Sequence, residues 1–149
     1  MSDSGFDIGL QDSARAGLYS VGEDDVAPLA AAARDAGLLV RRIDLGGCRD
    51  RHTLLLRVST ALDLPSGFGR NWDALMDALR DLSWLPAPGY VLLFESASQL
   101  RSDRPGELQL LAGLLQEASQ WWAQADVPFW AFLAIDEAEL ADDAQGGVT

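Results

Sequence analysis

Three carboxylates recur at every fourth position, Asp73, Asp77 and Asp81, in the run NWDALMDALRDL at residues 71–82. Carboxylates in such an array can do three kinds of chemistry. They can shuttle protons, hold a metal, or present negative charge to a cation. Asp73 and Asp77 with Glu95 and Glu117 would be the set for acid/base or metal work. No histidine-rich or D-x-D ligand spacing accompanies them. Cys48 and His52 are four apart and could meet on a helix as nucleophile and base. The plainer account is a small half-buried thiol and a surface histidine near a helix start. The chain has no glycine-rich phosphate loop, no G-x-S-x-G and no metal motif. The expectation is a protein that is not an enzyme, with no cofactor and no metal, leaving charge presentation as the use of the array.

The spacing predicts how the array is displayed. Asn71 is a good N-cap and puts Asp73 in the first turn of a helix. Taking Trp72 as zero and about 100° per residue, Leu75, Met76, Leu79 and Leu82 share one arc from about 280° through 40°. Asp73, Asp77 and Asp81 fall between about 100° and 180°. The apolar arc packs on a sheet and the acid face looks outward, with Arg80 at the border, able to pair with Asp77 at i+3. Asp73 alone suits the positive end of the helix dipole, and an ordinary solvated face would account for the other two. Against that stands their repulsion, a few tenths of a kcal/mol per like-charged i,i+4 pair. No lysine relieves it.

Other elements must hold this helix in place. AGLYSV (16–21) can be a short strand, and VGEDDVAPLAAAARDAG a helix capped by Asp24 or Asp25 and ended by Gly37. LLVRRIDL (38–45), closed by Gly46 and Gly47, reads as a buried strand. CRDRHTLLLRVSTALDL predicts a helix, with Leu55, Val58, Ser59 and Leu62 on one face and Pro65 as its stop. GYVLLFES (89–96) is a strand, and RSDRPGELQLLAGLLQEASQWWAQAD one long helix with Pro105 near its first turn. VPFWAFLAI (127–135) is a last, apolar strand. Core packing is the expected role of Trp72, Trp84 and Trp130 and of at least one of Trp121 and Trp122. The order β-α-β-α-α-β-α-β, with near-continuous apolar strands, predicts an α/β fold. It has three layers: a mainly parallel sheet of three to four strands with helices on both faces.

Composition agrees with one domain. The chain has 149 residues and is 48% hydrophobic, enough for a core. No apolar run approaches the roughly 18 residues of a membrane span, and the acidic start MSDSGFDIGLQDS is unlike a secretory leader. A single cysteine excludes an intrachain disulfide, so a reducing, cytoplasmic setting is expected. The net charge of −12 is concentrated at the ends. Residues 1–37 hold seven acids and two arginines, and residues 134–149 five acids and no base, leaving −2 for the middle. This balance argues against direct nucleic-acid binding, which wants a basic patch.

The run LPSGFGRNWDALMDAL resembles the signature of the barstar family, the intracellular inhibitors of barnase-type guanyl-preferring ribonucleases. Pro65, Phe68, Gly69, Asn71, Asp73, Ala74, Leu75 and Asp77 match it in order, and the likeness extends from about Leu38 to Leu133. The resemblance implies a barstar-like domain over residues 15–135. Residues 15–37 would be an added strand-helix unit and 38–135 the family core, between a disordered start (1–14) and an acidic flexible tail (136–149). It also implies a binding mode. The helix and the preceding loop plug the nuclease site, and Asp77 matches the central carboxylate that takes the place of a substrate phosphate. Asp73 faces nuclease cations, Phe68 and Gly69 pack on the active site, and Glu117 is a peripheral acidic contact. The partner-binding set is Phe68, Gly69, Asn71, Asp73, Met76, Asp77, Asp81 and Glu117, although no family role maps onto Asp81. Two departures stand out. Gly67 and Phe68 replace two aromatics before the glycine, and Met76 replaces a tryptophan between the aspartates. The expected partner is a small barnase-like ribonuclease, with no nucleic acid or membrane contacted directly and the free protein a monomer. The rival reading is an acidic interaction module for a basic partner that is not a nuclease.

Overall fold

The computed structural model describes residues 9–65 and 71–136. Four strands, β1 (Leu18–Gly22), β2 (Leu39–Asp44), β3 (Tyr90–Glu95) and β4 (Phe129–Ile135), form one all-parallel sheet in the order β1-β4-β3-β2. Five α-helices join them, α1 (Val26–Asp35), α2 (Arg51–Ala61), α3 (Trp72–Asp81), α4 (Ser98–Asp103) and α5 (Pro105–Gln124), with a 3-10 turn at Glu23–Asp25 leading into α1. The α/β class read from the sequence is the fold observed, at the upper end of the expected strand count.

Strand order decides which helices share a face. The step from β1 to β2 crosses the whole sheet, and the steps from β2 to β3 and β3 to β4 return the other way. Right-handed crossovers then place α1 opposite the remaining helices. The core divides accordingly. Ile43, Leu92, Phe94, Phe129 and Leu133 pack with Leu54, Leu75, Leu79, Leu111 and Leu115 on one side. Val91, Leu93, Trp130 and Phe132 pack with Val26, Leu29 and Ala33 on the other. Successive side chains of a strand point to opposite faces, so β3 and β4 need apolar residues at every position. All seven residues of β4 are buried. At the start of β3 a side chain has no room: a Cβ on Gly89 would lie 2.7 Å from both Leu38 Cδ2 and Pro128 Cγ.

Both sheet edges are blunted, as a soluble edge requires. On β2, Arg41 pairs with Asp63 at 3.2 Å and Arg42 with Glu95 at 2.7 Å. β1 carries no charge, but Leu18 N–H donates to Gln116 Oε1 at 3.1 Å and Gly22 N–H to Asp25 Oδ2 at 3.0 Å.

Two expectations are corrected. The single helix around Pro105 is two helices, α4 and α5, separated by Arg104 at φ −138°, ψ 62°. A residue before proline is driven out of the α region by the proline ring. The expected disorder of residues 1–14 is not met over residues 9–14. Leu10 and Ser13 are buried, Trp130 Nε1 donates to Leu10 O at 2.8 Å, and Ser13 Oγ to Asp126 at 2.9 Å. Residues 1–8 and the expected acidic tail from 137 onward lie outside the described residues. Among the described residues, no helix is long and apolar enough to cross a membrane.

Candidate functional site

α3 begins where the sequence predicts. Asn71, with extended backbone, accepts the Ala74 N–H on its Oδ1 at 2.8 Å. That bond satisfies one of the free N–H groups of the first turn and is worth about 1 kcal/mol. The inward arc is Leu75, Met76, Ala78 and Leu79, all buried. The helix ends at Leu82, whose φ of +50° lies in the left-handed region that leucine seldom adopts. Its side chain is buried, which holds the residue there.

The open C-terminal carbonyls of α3 are taken by tryptophans. Trp122 Nε1 donates to Leu79 O at 2.7 Å, and Trp121 Nε1 to Arg80 O at 3.0 Å. Trp84 Nε1 does the same for α2, donating to Leu62 O at 2.9 Å. α3 is therefore fixed at its start by Asn71, along its length by the core and at its end by α5. The sequence reading assigns core packing to at least one of the adjacent pair. Trp122 does pack against the core, and Trp130 is buried. Trp121 does not, being 49% exposed.

The outward face carries Asp73, Asp77 and Asp81, all exposed, and none of them makes an ion pair among the described residues. Arg80, which the spacing leaves able to pair with Asp77 at i+3, does not do so. The Arg80 guanidinium carbon lies 5.6 Å from the centroid of the Trp121 ring instead. Magnitudes favour that choice: an exposed cation–π contact is worth about 0.5–1 kcal/mol, and a surface i,i+3 ion pair about 0.2–0.5 kcal/mol.

The remaining residues of the expected binding set divide. Glu117 is exposed on α5 and lines an open groove of about 390 Å³ with Trp72, Gln109, Leu110, Gly113 and Leu114. Packing of α5 on α3 thus brings Glu117 beside the first turn of the acidic helix, from 44 positions further along the chain (117 − 73). Met76 is 7% exposed and belongs to the core beneath the acid face, so it offers a partner little surface. Asn71 is exposed, but its side-chain oxygen is committed to the helix start. Phe68 and Gly69 lie outside the described residues.

The groups of the catalytic alternatives are differently employed. Cys48 is wholly buried rather than half-buried, and burial pushes its thiol pKa up, away from the thiolate a nucleophile needs. Glu95 accepts two bonds from Arg42, at 2.7 and 3.0 Å. Among the described residues, no group of three or more His, Cys, Asp or Glu side chains is placed to hold a metal ion.

A second acidic region lies at the carboxyl ends of the strands. Glu23 and Asp136 line an open cleft of about 580 Å³ with Gly46, Ser96, Ser98, Gln99 and Ser102. Here Glu23 and Asp44 bond to their own fold, Ser96 N–H donating to Glu23 Oε2 at 3.0 Å and Gly46 N–H to Asp44 Oδ1 at 2.8 Å. Asp136 is held through its backbone N–H, which donates to Ser98 Oγ at 2.8 Å. The Glu23 pKa is raised, first by burial, then by the nearby Glu95, Asp136 and Asp44, with the Ser96 N–H acting in opposition.

Comparison with known proteins adds to this geometry. Curated proteins yield no sequence match. Among solved structures, a chain of Drosophila ORC bound to DNA is 16% identical with a TM-score of 0.52, over 81% of this chain and 32% of that one. The Aeropyrum pernix ORC2 protein is 14% identical with a TM-score of 0.48, over 87% of this chain and 37% of that one. This chain spans only about a third of each, and the first likeness shows an α/β fold alone. The family model for Barstar (barnase inhibitor) matches residues 38–134, from β2 through nearly all of β4, with α3 and α5 inside the match. That match covers well over half of the chain, which therefore belongs to the Barstar (barnase inhibitor) family.

Proposed function

We propose that this protein inhibits a barnase-type ribonuclease by placing the acid face of α3 in the nuclease active site. The reading rests on one observation above the others: three exposed carboxylates on one rigid helix, none engaged by a cation among the described residues. A ribonuclease site is electropositive because it holds RNA phosphates. Carboxylates already aligned along one helix satisfy those cations with a reduced ordering cost and steer association through long-range attraction. No bond is made or broken. Asp77, in mid-helix, is the central phosphate mimic; Asp73 and Asp81 flank it, and Glu117 supplies a peripheral contact across the α3–α5 groove. Phe68 and Gly69 extend the contact by family resemblance. Met76 acts from beneath, by packing α3.

Titration of the protein into a barnase-type ribonuclease at low and high salt, with Asp77→Ala in parallel, tests the reading. Tight inhibition that weakens with salt and is lost in the variant is the expected result. Absence of inhibition and of any complex with such nucleases would overturn it and leave an acidic module for a different basic protein.

A further inference from the structure

We propose that Trp121 holds Arg80 off the carboxylates of α3, so that the acid face meets its partner un-neutralised. The inference deepens the inhibitor reading and rests on it for its consequence. Arg80 is the lone basic residue of α3, three positions from Asp77 and adjacent to Asp81. Left to itself it would fold back on the stripe and cancel one of its charges. Trp121 grips it twice: the indole N–H donates to the Arg80 carbonyl at 3.0 Å, and the ring lies 5.6 Å from the guanidinium carbon.

The placement of Trp121 fits this task better than packing. Its neighbour Trp122 fills the inward position and caps Leu79. Trp121 leaves about half of its surface in water, where a large apolar ring has little to gain except a cation on its face. Arginine suits the contact because its planar, weakly hydrated guanidinium stacks on aromatic faces. A ring also holds the cation without using a carboxylate, so Arg80 occupies none of the three acids. The partner this serves is a cationic cleft, which would otherwise have to displace Arg80 before docking.

Four variants separate the hold from simple capping: Trp121→Leu, Trp121→Phe, Arg80→Gln and the Trp121→Leu/Arg80→Gln pair. Association with a barnase-type ribonuclease is followed by stopped flow at low salt. Trp121→Leu is expected to slow association about two- to fivefold and flatten its salt dependence, as loss of a steering charge does. Trp121→Phe, which keeps a ring and loses the N–H, stays near the parent rate. Arg80→Gln does not slow association, and the paired variant behaves like Arg80→Gln alone. A paired variant as slow as Trp121→Leu would overturn the proposal, because lost capping cannot be rescued at Arg80. A second readout needs no nuclease. Arg80 side-chain protons should show upfield ring-current shifts by NMR in the parent protein, and Trp121→Leu should replace them with contacts to Asp77. Unshifted Arg80 protons in the parent would also overturn the hold. Shifted protons together with no complex would instead mean that the nuclease reading has failed.

Discussion

Two acidic regions among the described residues use their carboxylates in opposite ways. At the carboxyl ends of the strands, Glu23, Asp44 and Glu95 accept bonds from Ser96 N–H, Gly46 N–H and Arg42. Glu23 and Asp44 fasten loop backbone at the ends of the strands, and Glu95 ties β3 to Arg42 of β2. On α3, Asp73, Asp77 and Asp81 fasten nothing among the described residues, and the one cation on their helix is drawn to Trp121. A carboxylate engaged by its own fold is committed there, with a net gain at Glu95, paired to Arg42, and a net cost from burial at charged Glu23. One left unengaged on a well-anchored helix contributes little and is available to a partner. Acidity alone therefore does not distinguish the two regions; internal employment of the carboxylates does.

Truncating the unengaged acids should break binding and spare stability. Asp77→Ala is expected to weaken nuclease binding by about 2–4 kcal/mol or more, the span of hot-spot truncations at protein interfaces in general, the archetypal complex of this family among them. The melting temperature should hold or rise slightly, since a few tenths of a kcal/mol of like-charge repulsion is removed. A large fall in melting temperature would show that Asp77 is structural and collapse the contrast. Next in size is the anchor. Asn71→Ala should cost about 1 kcal/mol in denaturant unfolding through loss of the Ala74 bond, and should weaken binding as α3 frays at its start.

Among the engaged acids, Glu95 should show the converse. Glu95→Gln is expected to cost at most about 1 kcal/mol of stability, discounted because Arg42 is 43% exposed, and to leave nuclease affinity unchanged. Glu23 sharpens the comparison through pH. Its folded-state pKa lies above the ordinary 4.5, with burial the largest cause. The protonated form is therefore the one that favours folding. That contribution is complete below the ordinary value and is lost as pH rises through the folded value. Glu23→Gln should remove this part of the slope in a series of melts from acid to neutral pH and raise the melting temperature at neutral pH. An unchanged slope would mean that Glu23 is not held as described.

Much of this was legible along the chain. The apolar runs at 89–96 and 127–135 became β3 and β4, because a strand covered on both faces has no polar alternation to lose. The run at 38–45, expected as a buried strand, instead became the edge strand β2, with only Ile43 buried. Asn71 and the Leu75, Met76, Leu79 arc became the cap and buried face of α3, since capping and amphipathy act within a few residues. The break at Arg104 was also within reach, from the proline that follows it. The fate of Arg80 was not. Its local partner, Asp77, is three residues away, whereas Trp121 is 41 positions distant (121 − 80) and within reach only after α5 packs on α3.

The sequence by itself determined the element types, the acid face of α3 and the family signature, because each depends on residues close together in the chain. Tertiary structure decided which carboxylates remained unengaged. It placed β1 beside β4, gave the β1 edge its Gln116 partner, and seated Glu117 near the start of α3. It also turned Arg80 toward Trp121. The physical reason is that a side chain's partner is the strongest available contact in space, and the candidates exist only once distant segments have packed.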